Sequence, residues 1–464
     1  EINGITFAGV GSGTSVDHIE VAFNLDDGIE FFGGTVNVKF MSVLFCGDDG
    51  IDTDKGYQGL LQFAFVMLGE GSQHGAEMDG PVGSDDTEPP APFRRSFPSL
   101  YNALFLGDRN NDPNSVSADD QLEAVIRLRE GTGGRFGNML VLNYANQGIF
   151  QNLCGSETRG AGADPTAAGP DYLFISPNTL FNGAAGSVSV FESTGCSTAF
   201  GTDYGASGDP ELILVPTSSD QDLPFFDPRP IPGGAATQNV DSFPDPFFTN
   251  VNYRGAFGDD LWLEGWSWLA ENGRIPRSLP STTVASGVIS SSTTWSGTVL
   301  MTQQVFVPAD VTLTIQPGTT IYAYARTYGA PNAGLAGAPA LVIEQNGSIM
   351  ANGNAASPIT FTSAVQEALL PAQGLWGGLI ILGNAPVLSS DPTIEGLTEG
   401  GSYGGDMPGD NSGVLRYVRV WYGGSVIGQD NEINGITFGG VGSGTTVEYI
   451  EVAFNLDDGV EFFG

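Results

Sequence analysis

Two short acidic segments that begin 22 residues apart hold most of the side chains that could do chemistry. Their sequences are DDGIEFF at 26–32 and DDGIDTD at 48–54. The carboxylates that they supply are Asp26, Asp27, Glu30, Asp48, Asp49, Asp52 and Asp54. If equivalent positions lie one above the other, two like charges about 5 Å apart repel by roughly 3 kcal/mol at an effective dielectric constant of about 20. Such a stack must fan into water, take up protons or hold a cation.

Calcium is the cation that suits this pattern best. Ca²⁺ takes about six to eight oxygen ligands and tolerates irregular loops. The segment GDDGIDTDKG at 47–56 offers carboxylates and carbonyl groups, although it lacks the glutamate that ends an EF-hand loop. A second interpretation is that Asp and Gly stand here only because both residues favour turns. The sequence therefore predicts a Ca²⁺ site at the seven carboxylates, with plain turn formation as the alternative.

Paired carboxylates could instead act as general acid and base in a polysaccharide lyase or hydrolase. Asp26, Asp27, Asp48 and Asp49 would be the candidates. An acidic groove repels acidic sugars, however, and the Lys and Arg bases that lyases use are scarce. The chain has two histidines, and we expect the second, His74, to be a surface residue without a special role. A non-enzymatic function is therefore favoured, and no catalytic residues are assigned.

Exposed aromatic side chains would support a third function, carbohydrate binding without chemistry. Phe31, Phe32, Phe225 and Phe226 are the candidates for such a platform, although one ring of each adjacent pair is expected to point into a core. Among the cysteines, Cys46 lies in an apolar run and is expected to face a core. Cys154 and Cys196 lie in turn-rich stretches and could pair, which would indicate an oxidising compartment.

Composition limits the possible partners. The 464 residues include 53 acidic and 16 basic side chains, for a net charge of −37. Nucleic acid and anionic lipid both require clusters of Lys and Arg, so neither is expected as a partner. The content of 41% hydrophobic residues is too high for a disordered acidic chain. No apolar run is long enough for a transmembrane helix, and the 67 glycines indicate many turns.

Repeats on two scales predict the architecture that positions the acidic segments. Residues 1–33 match 432–464 with five differences, which indicates two diverged copies of one module in a longer tandem chain. Within the module, a shift of 22 residues places Ile19 on Met41 and Phe23 on Phe45. Alternating apolar residues, polar turns and a period near 22 are typical of a β-solenoid. Its coils stack about 4.8 Å apart, so that each pairs the strand edges of the next.

The repeat also predicts the domain organisation. Residues 1–280 would be the later part of one module, with a loop-rich insertion at 155–250 and a terminal strand and helix cap at 253–276. The spacing of Leu261 and Leu269 indicates a short amphipathic helix there, ending near Gly273. Residues 281–464 would be the opening part of the next tandem module.

Several phrases resemble a known group of proteins. They are GLWGGLIILGNA (374–385), SGVLRYVRV (412–420), TVNVKF (35–40), YRGAFG (253–258) and the duplicated coil itself. Together they are similar to secreted or surface bacterial right-handed parallel β-helix repeat proteins, a largely uncharacterised and lipoprotein-like group. The resemblance implies an all-β, right-handed parallel β-helix with long loop insertions, located outside the cell or on its surface. It implies no established reaction.

We therefore expect an extracellular structural or adhesive module, a repeating unit of a surface protein or filament that self-associates end to end. A polysaccharide-degrading enzyme and a carbohydrate-binding module on the same scaffold are the alternatives. A glycan or another cell-surface molecule would be the external partner.

Overall fold

The computed structural model of the chain describes residues 2–69, 71–80, 95–108, 124–153, 160–161, 172–184, 187, 189–194, 196, 205–215, 225–243, 245–279, 283–325, 338–388, 392–394, 396–397, 400–428 and 431–464. These residues form two compact units. The first comprises Glu1–Leu223 with Pro228–Leu263, and the second comprises Pro224–Asp227 with Glu264–Gly464.

The described strands of the first 230 positions are β1 (Ile5–Ala8), β2 (Ser15–Ala22), β3 (Ile29–Phe32), β4 (Asn37–Leu44), β5 (Ile51–Asp54), β6 (Leu60–Met67), β7 (Ala76–Met78), β8 (Ser99–Leu106), β9 (Ala124–Arg129), β10 (Gly134–Gly137), β11 (Leu140–Leu142), β12 (Gln147–Asn152), β13 (Gly160–Ala161), β14 (Tyr172–Ile175), β15 (Leu180–Asn182), β16 (Ser189–Ser193), β17 (Ala206–Ser207), β18 (Leu212–Leu214) and β19 (Asp227–Pro230).

The described strands of the later positions are β20 (Thr283–Val288), β21 (Thr293–Trp295), β22 (Thr298–Val307), β23 (Thr312–Ile315), β24 (Thr320–Ala323), β25 (Leu341–Ile343), β26 (Ser348–Asn352), β27 (Ile359–Ser363), β28 (Leu379–Leu382), β29 (Gly413–Trp421), β30 (Val426–Gly428), β31 (Asn431–Glu432), β32 (Ile436–Gly439), β33 (Thr446–Ala453) and β34 (Val460–Phe463). The described helical segments are α1 (Trp268–Glu271) and the 3-10 turns Ala235–Thr237 and Glu367–Leu369.

The first unit is a parallel β-helix. One sheet runs β1-β3-β5-β7-β9-β12-β16, and a second begins β2-β4-β6-β8, so successive coils place one strand on each. After β8, each turn supplies two short strands, and β10 and β11 both pair with β8 in parallel. The strands β14, β15 and β16 add a further coil within the stretch where the sequence predicts a loop-rich insertion.

The strand register predicted from the 22-residue repeat is confirmed. Ile19 pairs with Met41, in line with the pairing of Val16 with Val38. The rings of Phe23 and Phe45 stack with centroids 5.2 Å apart. Inward side chains such as Met41 are fully buried, so the apolar column along the axis is the core of the unit.

A column of left-handed residues bends each long strand of the second sheet. His18, Phe40, Phe63 and Asn102 have φ values of 48°, 57°, 60° and 56°. The paired register skips this position in each coil. Non-glycine residues rarely adopt this backbone, but here the rings stack, with Phe40 lying 4.3 Å from His18 and 4.8 Å from Phe63. Ring stacking between successive coils therefore offsets the energetic cost of a left-handed backbone at these non-glycine residues.

A segment that precedes α1 lies along the side of the first unit. The side chain of Gln62 donates to the carbonyl oxygen of Thr249 at 2.8 Å, and that of Asn102 donates to Tyr253 at 2.9 Å. The ring of Trp262 lies 5.6 Å from Phe40, edge to face. This contact covers the outward aromatic column that the left-handed residues create.

The second unit is also a parallel β-helix, with one continuous 13-stranded sheet. The sheet is continuous because β22 and β29 are long enough to pair with different strands at their two ends. Helix α1 is shorter than the apolar spacing from Leu261 suggests. It begins after Ser267, whose hydroxyl accepts from the amide of Ala270, and it is followed by Gly273 at φ 64°. No helix among the described residues is long and apolar enough to cross a membrane.

Candidate metal centre

Each acidic turn of the first unit contains a glycine that allows the backbones of successive coils to approach closely. The amide of Gly28 donates to the carbonyl oxygen of Asp49 in the next coil at 2.8 Å. A Cβ atom on Gly28 would lie 2.3 Å from Cγ1 of Val43 and 2.7 Å from the carbonyl oxygen of Gly50. Only glycine fits at that distance. The glycine of the repeated Asp-Gly pair is therefore a packing requirement, and the close approach of the coils brings the carboxylates beside it into register.

Three carboxylates form the first group, which we call the Asp52 group: Asp27, Glu30 and Asp52. Each offers an oxygen, and these oxygens lie within 4.8 Å of one another. Glu30 of β3 and Asp52 of β5 are direct partners in the strand pairing, and the Asn3 side chain donates to Glu30. Asp52 is 8% exposed, and its Oδ1 is buried without a hydrogen-bond partner. An unpaired buried carboxylate oxygen is costly unless it is protonated or binds a cation.

A second group joins the same turn to the next coil. The Oδ1 atom of Asp49 accepts a hydrogen bond from the backbone amide of His74 at 2.9 Å and lies 2.8 Å from its Nδ1. Glu77 of β7 lies 3.9 Å from the same ring nitrogen. All three residues are buried, and His74 is only 1% exposed.

Two arginines from β9 complete this second group. Nη1 of Arg127 lies 3.1 Å from Oε1 of Glu77, and Nη2 of Arg129 lies 2.5 Å from Oε2 of the same carboxylate. Arg129 also donates to Asp79. Glu77 and Asp79 are thus paired with cations, whereas the Asp52 group has no basic side chain among its three members.

The remaining predicted ligands lie at the edge of these groups. Asp26 and Asp48 are half-buried and come together with Asp27 in a third set of oxygens within 4.8 Å. Asp54 belongs to none of these groups among the described residues, and its carboxylate accepts a hydrogen bond from Lys55. Six of the seven carboxylates singled out in the sequence therefore take part in at least one group.

Burial raises the pKa of the clustered carboxyls, and neighbouring carboxylates add to the effect. The pKa of Asp27 and that of Glu30 rise to about 7, while those of Asp49 and Glu77 rise to about 8. The pKa of Asp52 is also raised well above its usual value, with Asp79 and Asp49 contributing after desolvation. The cluster holds more negative charge than its arginines compensate, so near neutral pH it must retain protons or bind a cation.

Sequence reasoning missed part of this arrangement. The expectation that His74 is a surface residue is wrong, since it is buried against Asp49. A signal existed for Glu77, because HGAEM at 74–78 repeats the pattern of DGIDT at 49–53. No comparable signal marks Arg127 and Arg129, which follow Glu77 and Asp79 by 50 residues.

The other predicted sites have different outcomes. Phe31, Phe225 and Phe226 are buried, so the proposed aromatic platform for glycans is wrong for these three rings, and Phe32 is half-buried. Cys46 is a buried free thiol, as its apolar neighbours indicate. Cys196 takes part in a disulfide bond. Cys154, its candidate partner in the sequence, lies outside the described residues.

Comparison with known proteins agrees with the strand topology. The family model described as a pectate-lyase-like β-helix domain matches residues 1–166 and again residues 287–464. No curated protein and no solved structure gives a significant match. The two matched ranges together cover well over half of the chain and fall on the two β-helical units. The chain belongs to the family of pectate-lyase-like β-helix domains.

Proposed function

We propose that this chain is a structural module of an extracellular protein, one period of a longer β-helical rod. The observation that carries the proposal is the duplicated coil, whose two copies have neighbours on opposite sides. In residues 1–33, β1 and β2 pair with strands that follow them. In residues 432–464, β32 and β33 pair with strands that precede them.

When the two copies are aligned in sequence, they show together how one coil packs against a preceding coil and against a following coil. Preceding strands cover β32, where Ile436 is fully buried, whereas its counterpart Ile5 is half-buried. Following strands cover β3, where Ile29 is fully buried, whereas its counterpart Val460 is half-buried. One 33-residue sequence is thus compatible with continuation on both sides, as in the interior of a solenoid.

Two further properties support an extracellular structural role. The disulfide of Cys196 suits an oxidising compartment. The charge of −37 suits solubility of a long assembly and disfavours contact with anionic surfaces. Electron microscopy of the native material tests the proposal. We expect rods whose length increases in steps of one module, and discrete particles of uniform, single-module length would contradict it.

We also propose that the Asp52 group binds Ca²⁺, which would neutralise the excess charge of the acidic column and tie adjacent coils together. Asp27, Glu30 and Asp52 would be ligands, with Asp26 and Asp48 at the outer edge. The buried, unpartnered Oδ1 of Asp52 is the observation that supports this proposal. A divalent cation replaces the repulsion between these carboxylates by attraction, and Ca²⁺ accepts the irregular geometry of a turn.

Thermal unfolding with Ca²⁺ and with a chelator tests the cation site. Binding to the folded chain alone adds about 2.7 kcal/mol of stability when free Ca²⁺ is about 100 times Kd, so Tm should rise. The Asp52→Asn variant should lose this response. Glu461→Gln is the matched control, because Glu461 is the counterpart of Glu30 in the second copy and should leave the response intact. Equal Tm values with Ca²⁺ and chelator in the native chain would exclude the site.

Catalysis on polysaccharides is the second candidate function, and the grouping of Asp49, His74 and Glu77 with two arginines favours it. These residue types can supply a proton acceptor and a proton donor. Their burial argues against access by a polymer, since His74 and Asp49 are each under a twentieth exposed. Reducing-sugar and unsaturated-product assays on a panel of neutral and acidic polysaccharides would decide. Activity that is lost in His74→Ala and retained in His18→Ala would establish it.

A further inference from the structure

A groove crosses the outward face of the second unit where β24, β27 and β29 lie side by side. Its volume is about 450 Å³, within the range of about 300–1,000 Å³ that is usual for small-ligand sites. We call it the Thr362 groove. Six side chains from these three strands line it: Thr320, Tyr322, Thr360, Thr362, Arg419 and Trp421.

Strand register places these side chains together on the outer surface. Thr320, Thr360 and Arg419 are direct partners across β24, β27 and β29. Tyr322 pairs with Thr362 in the neighbouring column. The residue between the two columns is apolar and fully buried in each strand, so the alternation of the strands turns the groove residues outward. The arrangement is therefore fixed by the coil itself rather than by a loop.

The same outward position in the first unit is apolar and is covered by the chain. Strand pairing and the duplicated coil make Arg419 equivalent to Phe65 and Leu104. Both of these side chains are completely buried, and the ring of Phe257 lies against Phe65 with centroids 5.3 Å apart. Threonine and arginine at the equivalent positions of the second unit suit a polar ligand better than an apolar segment.

The threonine hydroxyls of the groove are free to bind a ligand. In the described part of the chain, the hydroxyls of Thr320, Thr360 and Thr362 make no hydrogen bond. Each hydroxyl can donate one hydrogen bond and accept others. A ligand that displaces water from them must offer hydrogen-bonding groups of its own, because an unpaired hydroxyl weakens binding. A ligand rich in hydroxyl groups meets this requirement.

Two arginine–aromatic pairs lie on the strands on either side of β27. The Cζ atom of Arg277 lies 5.1 Å from the ring centroid of Tyr322, and that of Arg419 lies 5.4 Å from Trp421. Arg277 also donates to the carbonyl oxygen of Ser363 at 2.9 Å, which holds its guanidinium in place. Fixed donors beside aromatic surface match a pyranose ring, which has hydroxyl groups around its edge and C–H groups on its faces.

Charge favours a neutral sugar over an acidic one. Nη1 of Arg277 lies 2.9 Å from Oε1 of Glu367, and Arg419 pairs with Glu451 across β29 and β33. Each arginine of the groove therefore has a carboxylate neighbour, so the groove offers no excess of positive charge. The net charge of −37 on the whole chain also repels an anionic ligand. The side chain of Glu367 is 82% exposed and can accept a hydrogen bond from a sugar hydroxyl.

We propose that the Thr362 groove binds a neutral oligosaccharide. The aromatic rings of Tyr322 and Trp421 contact the faces of the sugar rings, and the hydroxyls of Thr360 and Thr362 bind sugar hydroxyls. The site is distinct from the aromatic platform predicted from the sequence, most of whose rings are buried. The proposal goes beyond the structural function and does not depend on it, because the groove lies within one unit.

A glycan array of neutral and acidic oligosaccharides tests the ligand class. The probes are hexasaccharides of glucan, mannan, xylan and galactan, with oligogalacturonate of the same length as the acidic probe. We expect the full chain to bind at least one neutral probe more tightly than oligogalacturonate. Absence of binding to every neutral probe, or tighter binding of oligogalacturonate than of all of them, would overturn the proposal.

Variants of the groove test the place of binding by calorimetric titration with the best neutral probe. Trp421→Ala should weaken binding at least tenfold, and Thr362→Val, which removes a hydroxyl but keeps the shape, at least threefold. Tyr417→Ala and Thr314→Val are the matched controls, because both residues are half-buried in strands of the same unit and do not line the groove. Thr362→Val keeps the test valid if Trp421→Ala does not fold. Groove variants that bind as tightly as the controls would refute the site.

The indole N–H resonances of the six tryptophans give an independent location. The best neutral probe is titrated into ¹⁵N-labelled chain, and the Trp421 signal is assigned from its loss in Trp421→Phe. We expect this signal to shift most, because Nε1 of Trp421 donates to Glu451 beside the groove at 2.9 Å. Shifts confined to other indole signals would place the sugar elsewhere and refute the groove.

The outcomes separate this proposal from the structural function. Rods in native material without binding of any neutral probe would refute the groove and leave the rod. Binding that depends on Thr362 and Trp421 in chains whose native material shows only discrete particles would refute the rod and leave the groove.

Discussion

The two copies of the 33-residue coil differ at five positions and yet have opposite environments. Phe31 is fully buried, whereas Phe462 is mostly exposed. Asp27 is buried with its pKa raised to about 7, whereas its counterpart Asp458 is exposed. The residues themselves are the same in each pair, so the following coil creates the difference. Burial in this protein is a property of neighbouring coils, as expected when stability is a sum over adjacent repeats.

The largest contrast between the copies should come from the aromatic stack. Phe31→Ala removes a fully buried ring between Phe7 and Tyr57 and should destabilise the first unit by about 3–5 kcal/mol. Phe462→Ala should change stability by less than about 0.5 kcal/mol, because one side of that ring has no cover. Hydrogen exchange of peptides from 29–67 and from 432–464 reports each unit separately. Equal effects of the two substitutions would show that the second copy is covered after all.

A smaller difference in stability between the two copies is expected at Gly28 and Gly459, the glycines that precede β3 and β34. Gly28→Ala places a methyl group 2.3 Å from Val43 and should cost about 1–3 kcal/mol as overpacking. In Gly459→Ala, the new Cβ atom would be 3.8 Å from Val452, an ordinary contact, and stability should be nearly unchanged. Urea unfolding of the two variants beside the native chain measures the difference. A destabilised Gly459→Ala variant would mean that another coil packs against this glycine as one packs against Gly28.

The acidic column should give the two copies different responses to pH. In the absence of Ca²⁺, the pKa values of Asp27 and Glu30 in the folded chain are about 7, above the ordinary carboxyl values. The folded state therefore binds protons more tightly than the unfolded state, and stability falls as pH rises from about 4 to 7. Asp27→Asn with Glu30→Gln should flatten this slope, whereas Asp458→Asn with Glu461→Gln should preserve it. Thermal unfolding in chelator across this pH range checks both pairs.

Local repetition explains what the sequence could predict. Equal spacing and alternating apolar residues place Ile19 on Met41 and Glu30 beside Asp52, because each coil repeats the same path 22 residues later. Where the number of residues per coil departs from 22, the repeat no longer predicts which side chains meet. Arg127 and Arg129 reach Glu77 and Asp79 only across 50 residues, and no periodic signal survives that distance. For His74, the only signal was the pattern that HGAEM at 74–78 shares with DGIDT at 49–53, which places His74 beside Asp49.

The smallest expected effect concerns the one position where the two copies differ in chemical character. His18 and Tyr449 both adopt left-handed backbones, with φ values of 48° and 54°, and each ring stacks on an aromatic neighbour. His18 also lies 2.8 Å from an oxygen of Asp17, an exposed pair that is worth at most about 1 kcal/mol. His18→Tyr keeps the stack on Phe40 and should change the free energy of unfolding by less than about 0.5 kcal/mol, measured by urea titration. His18→Ala is the comparison variant, since it removes the stack and should cost more. A His18→Tyr variant as unstable as His18→Ala would show that the imidazole itself, rather than aromatic stacking, stabilises this position.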